Sequence, residues 1–102
     1  MTPILYRLAQ EVLRVGILVN EHTERAVFID FSGHVKWITV DISESKTCFT
    51  EKVYQRRIFL KDARLAEKLL MGAISRLNEE LPEDIRRLCG EEATELVGSR
   101  AD

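Results

Sequence analysis

The chain has 102 residues, 45% hydrophobic and 31% charged, a size that suits one domain and a composition that excludes wholesale disorder. Its 15 basic and 17 acidic side chains leave a formal net charge of -2. That balance excludes a global attraction to nucleic acid or to an anionic membrane and leaves only a local patch open.

The first element is a helix opened by Thr2-Pro3, with threonine as cap and proline at the first helical position. Leu5, Leu8, Ala9, Val12, Val15 and Val19 recur at three- and four-residue steps, with Arg7, Gln10, Glu11 and Arg14 between them. Gly16 weakens the pattern, so the helix is expected to end there or to run on to about Val19. Asn20 to Arg25 is polar throughout and reads as a connecting loop.

The densest strand-forming block follows, Ala26 to Ile42, with a turn signal at Ser32-Gly33 and glycine expected in the left-handed region. Val27, Ile29 and Phe31 share one face of the first strand, Phe28 and Asp30 the other. In the second strand Val35, Trp37 and Thr39 alternate with Lys36, Ile38, Val40 and Ile42. Two registers compete. A Ser-Gly loop sets Phe28 beside Trp37, whereas a Ser-Gly-His loop sets Phe31 opposite Val35, Ile29 opposite Trp37 and Asp30 opposite Lys36. The second is preferred because it pairs opposite charges. Both faces carry apolar residues, so cover is expected on both sides, or on one side with a partner on the other.

A third strand is read from Phe49 or Lys52 to Leu60, with Arg56 and Arg57 on opposite faces and charges suited to an edge. Asp62 caps the second long helix, whose apolar positions are Leu65, Ala66, Leu69, Leu70, Ala73, Ile74 and Leu77. Pro82 breaks it. Glu83 and Asp84 start a third helix with Ile85, Leu88 and Cys89 inward and Gly90 as stop, and Glu91 to Val97 adds one more piece. The expected fold is α+β: a three-stranded antiparallel meander packed with helices in the order α-β-β-β-α-α. One domain over residues 1–98 is followed by a frayed tail over 99–102.

Little in the chain points to catalysis. His34, after the turn glycine, suits a base, a metal ligand or a partner contact, but it lacks an orienting group and is read as bonded to Asp30 or to backbone. Asp30 and Asp41 fall towards opposite ends of the hairpin in either register. Phosphate-loop, dinucleotide and nucleophile-elbow motifs are missing from the sequence. Two histidines and two cysteines, Cys48 and Cys89, lie in four separate segments without metal-ligand spacing, and two free thiols in a reducing cytosol are expected. No enzymatic activity, cofactor or metal is expected. Arg7, Glu11 and Arg14 interrupt the early apolar residues, and no apolar run is long enough to span a bilayer, so the expected location is the cytoplasm, without a signal peptide or membrane span.

A non-enzymatic protein-interaction module is therefore the expected function, with the hairpin as its working surface: His34, Lys36 and Trp37, joined by Tyr54 and Arg56. Ile4, Ile17 and Leu18 lie off the main stripe of the first helix, surplus apolar surface of the kind a homodimer buries. The alternative is a nucleic-acid-binding module using Arg56, Arg57, Arg86 and Arg87, with Lys36 and Trp37 as a stacking platform. The segment Val27 to Ile38, VFIDFSGHVKWI, resembles hairpins in small accessory proteins of tailed bacteriophages and prophages. The resemblance implies a similar helix–hairpin–helix layout and a role in binding a host or phage protein. It implies no functional residues.

Overall fold

The computed structural model describes residues 2–47 and 51–87. The elements run α1 (Pro3–His22), β1 (Ala26–Ser32), β2 (Trp37–Ser43), β3 (Lys52–Phe59) and α2 (Ala63–Glu80), followed by a short helical segment over 83–87. This is the expected α+β order around a three-stranded antiparallel meander, β1-β2-β3. Cys48 and Cys89, the expected stop at Gly90, the piece from Glu91 to Val97 and the tail over 99–102 lie outside the described residues.

Local chemistry sets both helix starts. Thr2 accepts a hydrogen bond from the Leu5 amide at 3.2 Å, and Asp62 accepts one from the Leu65 amide at 3.2 Å, each satisfying a donor that the first turn leaves free. α1 does not stop at Gly16 or Val19. It runs to His22 and closes where the Thr23 amide and hydroxyl both donate to the Val19 carbonyl, so the first three residues of the expected loop are helical. Gly16 has a packing reason that periodicity does not reveal. A Cβ there would lie 2.5 Å from Ile29 Cδ1 and 3.3 Å from Val27 Cγ1, so glycine is what lets α1 close onto β1. α2 ends at Glu80, just before Pro82, as the ring requires.

α1 and α2 pack on each other and on one face of the sheet, α1 over β1 and α2 over β3. Leu5, Val12, Val15 and Val19 from α1 and Ala66, Leu70, Ala73 and Leu77 from α2 enclose Ile38, Val40, Ile42 and Ile58 in one core. Each buried Val or Leu contributes about 1.5–3 kcal/mol of transfer free energy. A salt-bridge cluster ties the far ends together: Arg25 Nε donates to Glu80 at 3.0 Å, Arg76 also pairs with Glu80, and Arg25 Nη1 donates to the Glu44 carbonyl at 3.0 Å.

Neither expected register forms. The strands pair Phe31 with Ile38, Ile29 with Val40 and Val27 with Ile42, and Ser32 with Trp37, across a loop over residues 33–36. The left-handed residue is Lys36, φ 54°, and not Gly33. Gly33 therefore is not the turn's conformational hinge. The longer loop wins because it puts Ile38, Val40 and Ile42 on the same face as Val27, Ile29 and Phe31, beneath the helices. The expected Asp30–Lys36 pairing would have put Trp37 and Thr39 there instead. β3 adds Ile58 opposite Ile38, Arg56 opposite Val40 and Tyr54 opposite Ile42, with a bulge at Ile42/Ser43 that brings Lys52 to Ser43.

Candidate functional site

Alternation fixes what the other face carries. Ser32, Trp37 and Phe59 form one row across the sheet, Asp30, Thr39 and Arg57 the next, and Phe28, Asp41 and Gln55 the third. Among the described residues no helix packs on this face. Phe28 is 44% exposed and Phe59 52% exposed, large apolar rings partly exposed on a sheet whose opposite face holds the core.

The side chains here are ordered by one another. The Trp37 and Phe59 rings meet edge to face, centroids 5.3 Å apart at 87°, the arrangement that ring quadrupoles favour. The Arg57 guanidinium lies 4.2 Å from the Trp37 ring centroid, a cation over a π face. At the other end Lys52 Nζ lies 4.8 Å from the Phe28 ring centroid and donates to the buried Ser43 hydroxyl at 3.1 Å. Between these clusters is a shallow depression of about 530 Å³, lined by Trp37, Thr39 and Asp41 of β2, Asp30 and Ser32 of β1 and Gln55, Arg56 and Arg57 of β3. Asp41 is among its lining residues, and its Oδ1 is buried with no hydrogen-bond partner among the described residues. Charge on the face balances: Lys52 and Arg57 against Asp30 and Asp41.

The residues singled out from sequence do not form one cluster. Trp37 is on the open face. His34 and Lys36 are exposed in the hairpin loop, and His34 makes no hydrogen bond to Asp30 or to backbone among the described residues. Lys36 is held through its carbonyl, which accepts from the Leu60 amide at 3.0 Å. Tyr54 and Arg56 are on the helix side. Tyr54 packs partly against the core, with the Arg76 guanidinium 5.9 Å from its ring centroid, and Arg56 is exposed at the strand edge opposite Val40. Of the two adjacent arginines, Arg57 lies over the Trp37 ring, while Arg56 shares with Trp37 the lining of the depression. Phe28, Phe59, Lys52 and Asp41 were missed. An exposed strand Phe reads like a core Phe until register is known, and the bulge that turns Lys52 onto this face has no single-residue signal.

The arginines of the alternative reading are dispersed. Arg56 and Arg57 point to opposite faces, as alternation requires. Arg86 Nη2 donates to the Leu81 carbonyl at 3.0 Å, and Arg87 faces Glu83 at 3.8 Å. No group of three or more His, Cys, Asp or Glu side chains suited to a metal occurs among the described residues, and no helix among them is long and apolar enough to cross a membrane. Comparison of the chain with protein-family models, with curated proteins and with solved structures finds no match.

Proposed function

We propose that this protein is a non-enzymatic interaction module whose working surface is the open sheet face, with another protein as its partner. The observation that carries the reading is the position of Trp37: the sole tryptophan lies on the face away from both helices, flanked by Phe59 and Arg57. Aromatic residues and arginine clustered at the centre of a patch, with polar residues around it, are the composition of protein-interface hot spots. Phe28 and Phe59 extend the apolar area. A nucleic-acid strand fits the face less well. Asp30 and Asp41 repel phosphate where Lys52 and Arg57 would attract it, and both cations are already engaged with aromatic rings. The resemblance of Val27 to Ile38 to phage hairpins supplies the setting of the proposal, an accessory factor that binds a host or phage protein.

The test is capture from a nuclease-treated bacterial lysate by the wild-type chain and by Trp37→Ala, Phe59→Ser and Arg57→Glu. A protein retained by the wild type and lost by all three supports the reading. Retention that the three variants do not alter, or that disappears on nuclease treatment, refutes it.

A further inference from the structure

Charge is segregated across the sheet. The charged residues of β1 and β2 are acidic, Asp30 and Asp41. Those of β3 are basic, Lys52, Arg56 and Arg57. Lys61 continues the run, so residues 52–61 hold four cations and no carboxylate in a chain of net charge -2. β3 is also an edge of the sheet. The Leu60 amide donates to the Lys36 carbonyl at 3.0 Å, so Leu60 turns its backbone groups towards β2, and alternation turns those of Ile58 and Arg56 the same way. The amides and carbonyls of Gln55, Arg57 and Phe59 therefore point away from the sheet. No hydrogen bond to these groups occurs among the described residues. Their side chains are on the open face, where Arg57 and Phe59 flank Trp37.

We infer that this edge takes an extended acidic segment of the partner protein as a fourth strand, an inference that rests on the open face being the partner surface. Backbone and charge both argue for that occupant. The outward groups of Gln55, Arg57 and Phe59 form one side of a ladder that an extended chain completes. The side chains beside that ladder suit an acidic chain. Arg56 is exposed and makes no ion pair among the described residues. A cationic edge discourages pairing with a second copy of β3, because like charges would face each other across the new ladder. The same charges favour a strand of opposite sign, so the edge discriminates between strands and is not closed to all of them.

Alternation sets the spacing of the segment's residues. Arg56 and Arg57 are adjacent and point to opposite faces, so two adjacent carboxylates meet both, one on each side of the sheet. Phe59 is two residues from Arg57 and on the same side. An apolar residue two places from one of the carboxylates therefore packs against the half-exposed Phe59 ring. The signature is an acidic pair and an apolar residue separated from it by one position, in a chain free to extend. The new strand borders Arg57 and Phe59, which touch Trp37 from the other side. Edge and open face then make one interface.

Nuclear magnetic resonance of the isotope-labelled full chain tests the inference. The probe is the peptide Thr-Val-Thr-Glu-Glu-Thr-Val-Thr, which has the required spacing in either chain direction, and its control carries lysine in place of both glutamates. In the free chain the Gln55, Arg57 and Phe59 amides are expected to exchange rapidly with solvent. The acidic peptide should shift these amides saturably, and the lysine peptide should not. Arg56→Glu, at an exposed position, should weaken the acidic peptide roughly five- to tenfold. Gln55→Pro removes one outward donor and keeps the bonds to β2, and should weaken it roughly tenfold. Circular dichroism confirms that each variant is folded. Unshifted β3 amides, equal binding of the two peptides, or slow exchange of those amides in the free chain overturns the inference. In lysate capture, a protein lost by Trp37→Ala but retained by Gln55→Pro and Arg56→Glu overturns strand addition and leaves the open-face reading standing. Peptide binding at the edge, with capture that Gln55→Pro abolishes and Trp37→Ala does not alter, supports strand addition and refutes the open-face reading.

Discussion

Replacing Trp37 by alanine separates a surface indole from a core indole. A buried tryptophan truncated to alanine costs about 3–5 kcal/mol. Trp37 is half-buried, and what it loses can be enumerated: one edge-to-face pair with Phe59, worth about 0.5–1.5 kcal/mol, and one exposed cation–π contact with Arg57, worth about 0.5–1 kcal/mol. Lower strand propensity adds a few tenths. The expected loss is about 2 kcal/mol, a fall in Tm of about 8–16 °C for a domain of this size. Ile42→Ala is the internal reference. Ile42 is fully buried on the central strand, and its truncation is expected to cost about 2–5 kcal/mol. Urea unfolding followed by far-ultraviolet circular dichroism measures both, since fluorescence would lose its only reporter. A Trp37→Ala loss of 4 kcal/mol or more, equal to or above that of Ile42→Ala, would refute the assignment of Trp37 to the open face.

Three further outcomes follow from the geometry. Arg25→Ala removes the 3.0 Å pair with Glu80 and the bond to the Glu44 carbonyl, and should cost about 1–3 kcal/mol because the bonds are charge-assisted and partly buried. Burial alone would raise the Glu80 pKa, but the hydrogen bonds from Arg76 and Arg25 outweigh it and hold the carboxyl below its ordinary 4.5. A lowered pKa contributes stability that is present above 4.5 and lost as pH falls through the folded-state value, so Arg25→Ala should flatten the acid limb of the stability–pH curve; unchanged curvature would contradict the pairing. Gly16→Val forces a branched side chain against Val27 and Ile29 and should destabilise by about 1–3 kcal/mol in thermal melts. Lys36→Gly relieves a left-handed φ of 54° and should leave stability unchanged or raise it by up to about 1 kcal/mol.

The helices were legible because their signals are local. Thr2, Pro3 and Asp62 mark starts, Pro82 marks a stop, and the three- and four-residue spacing of Leu5, Val12, Val15 and Val19 names the buried stripe before any contact is known. Strand faces were equally legible, since alternation needs no partner: Val27, Ile29 and Phe31 do share a side. Register was not. It depends on how many residues the turn takes up, and that was decided by Lys36 entering a left-handed conformation to which its residue type gives no clue. The misreading carried through to the site. Tyr54 and Arg56 were grouped with Trp37, whereas the observed pairing sets Arg57 and Phe59 against the indole and leaves Arg56 to share with it only the lining of the depression. The role of Gly16 was likewise invisible, because its reason is the approach of Val27 and Ile29 on β1, 11 and 13 residues further along the chain.

The most direct measurement is acrylamide quenching of Trp37 fluorescence, which reports on the open face alone because no other tryptophan contributes. Free protein is expected to show an accessible indole at every concentration, with protection appearing only when the captured partner is added. An indole shielded in the free monomer, or one that becomes shielded by self-association alone, would contradict a binding surface on the sheet face opposite the helices.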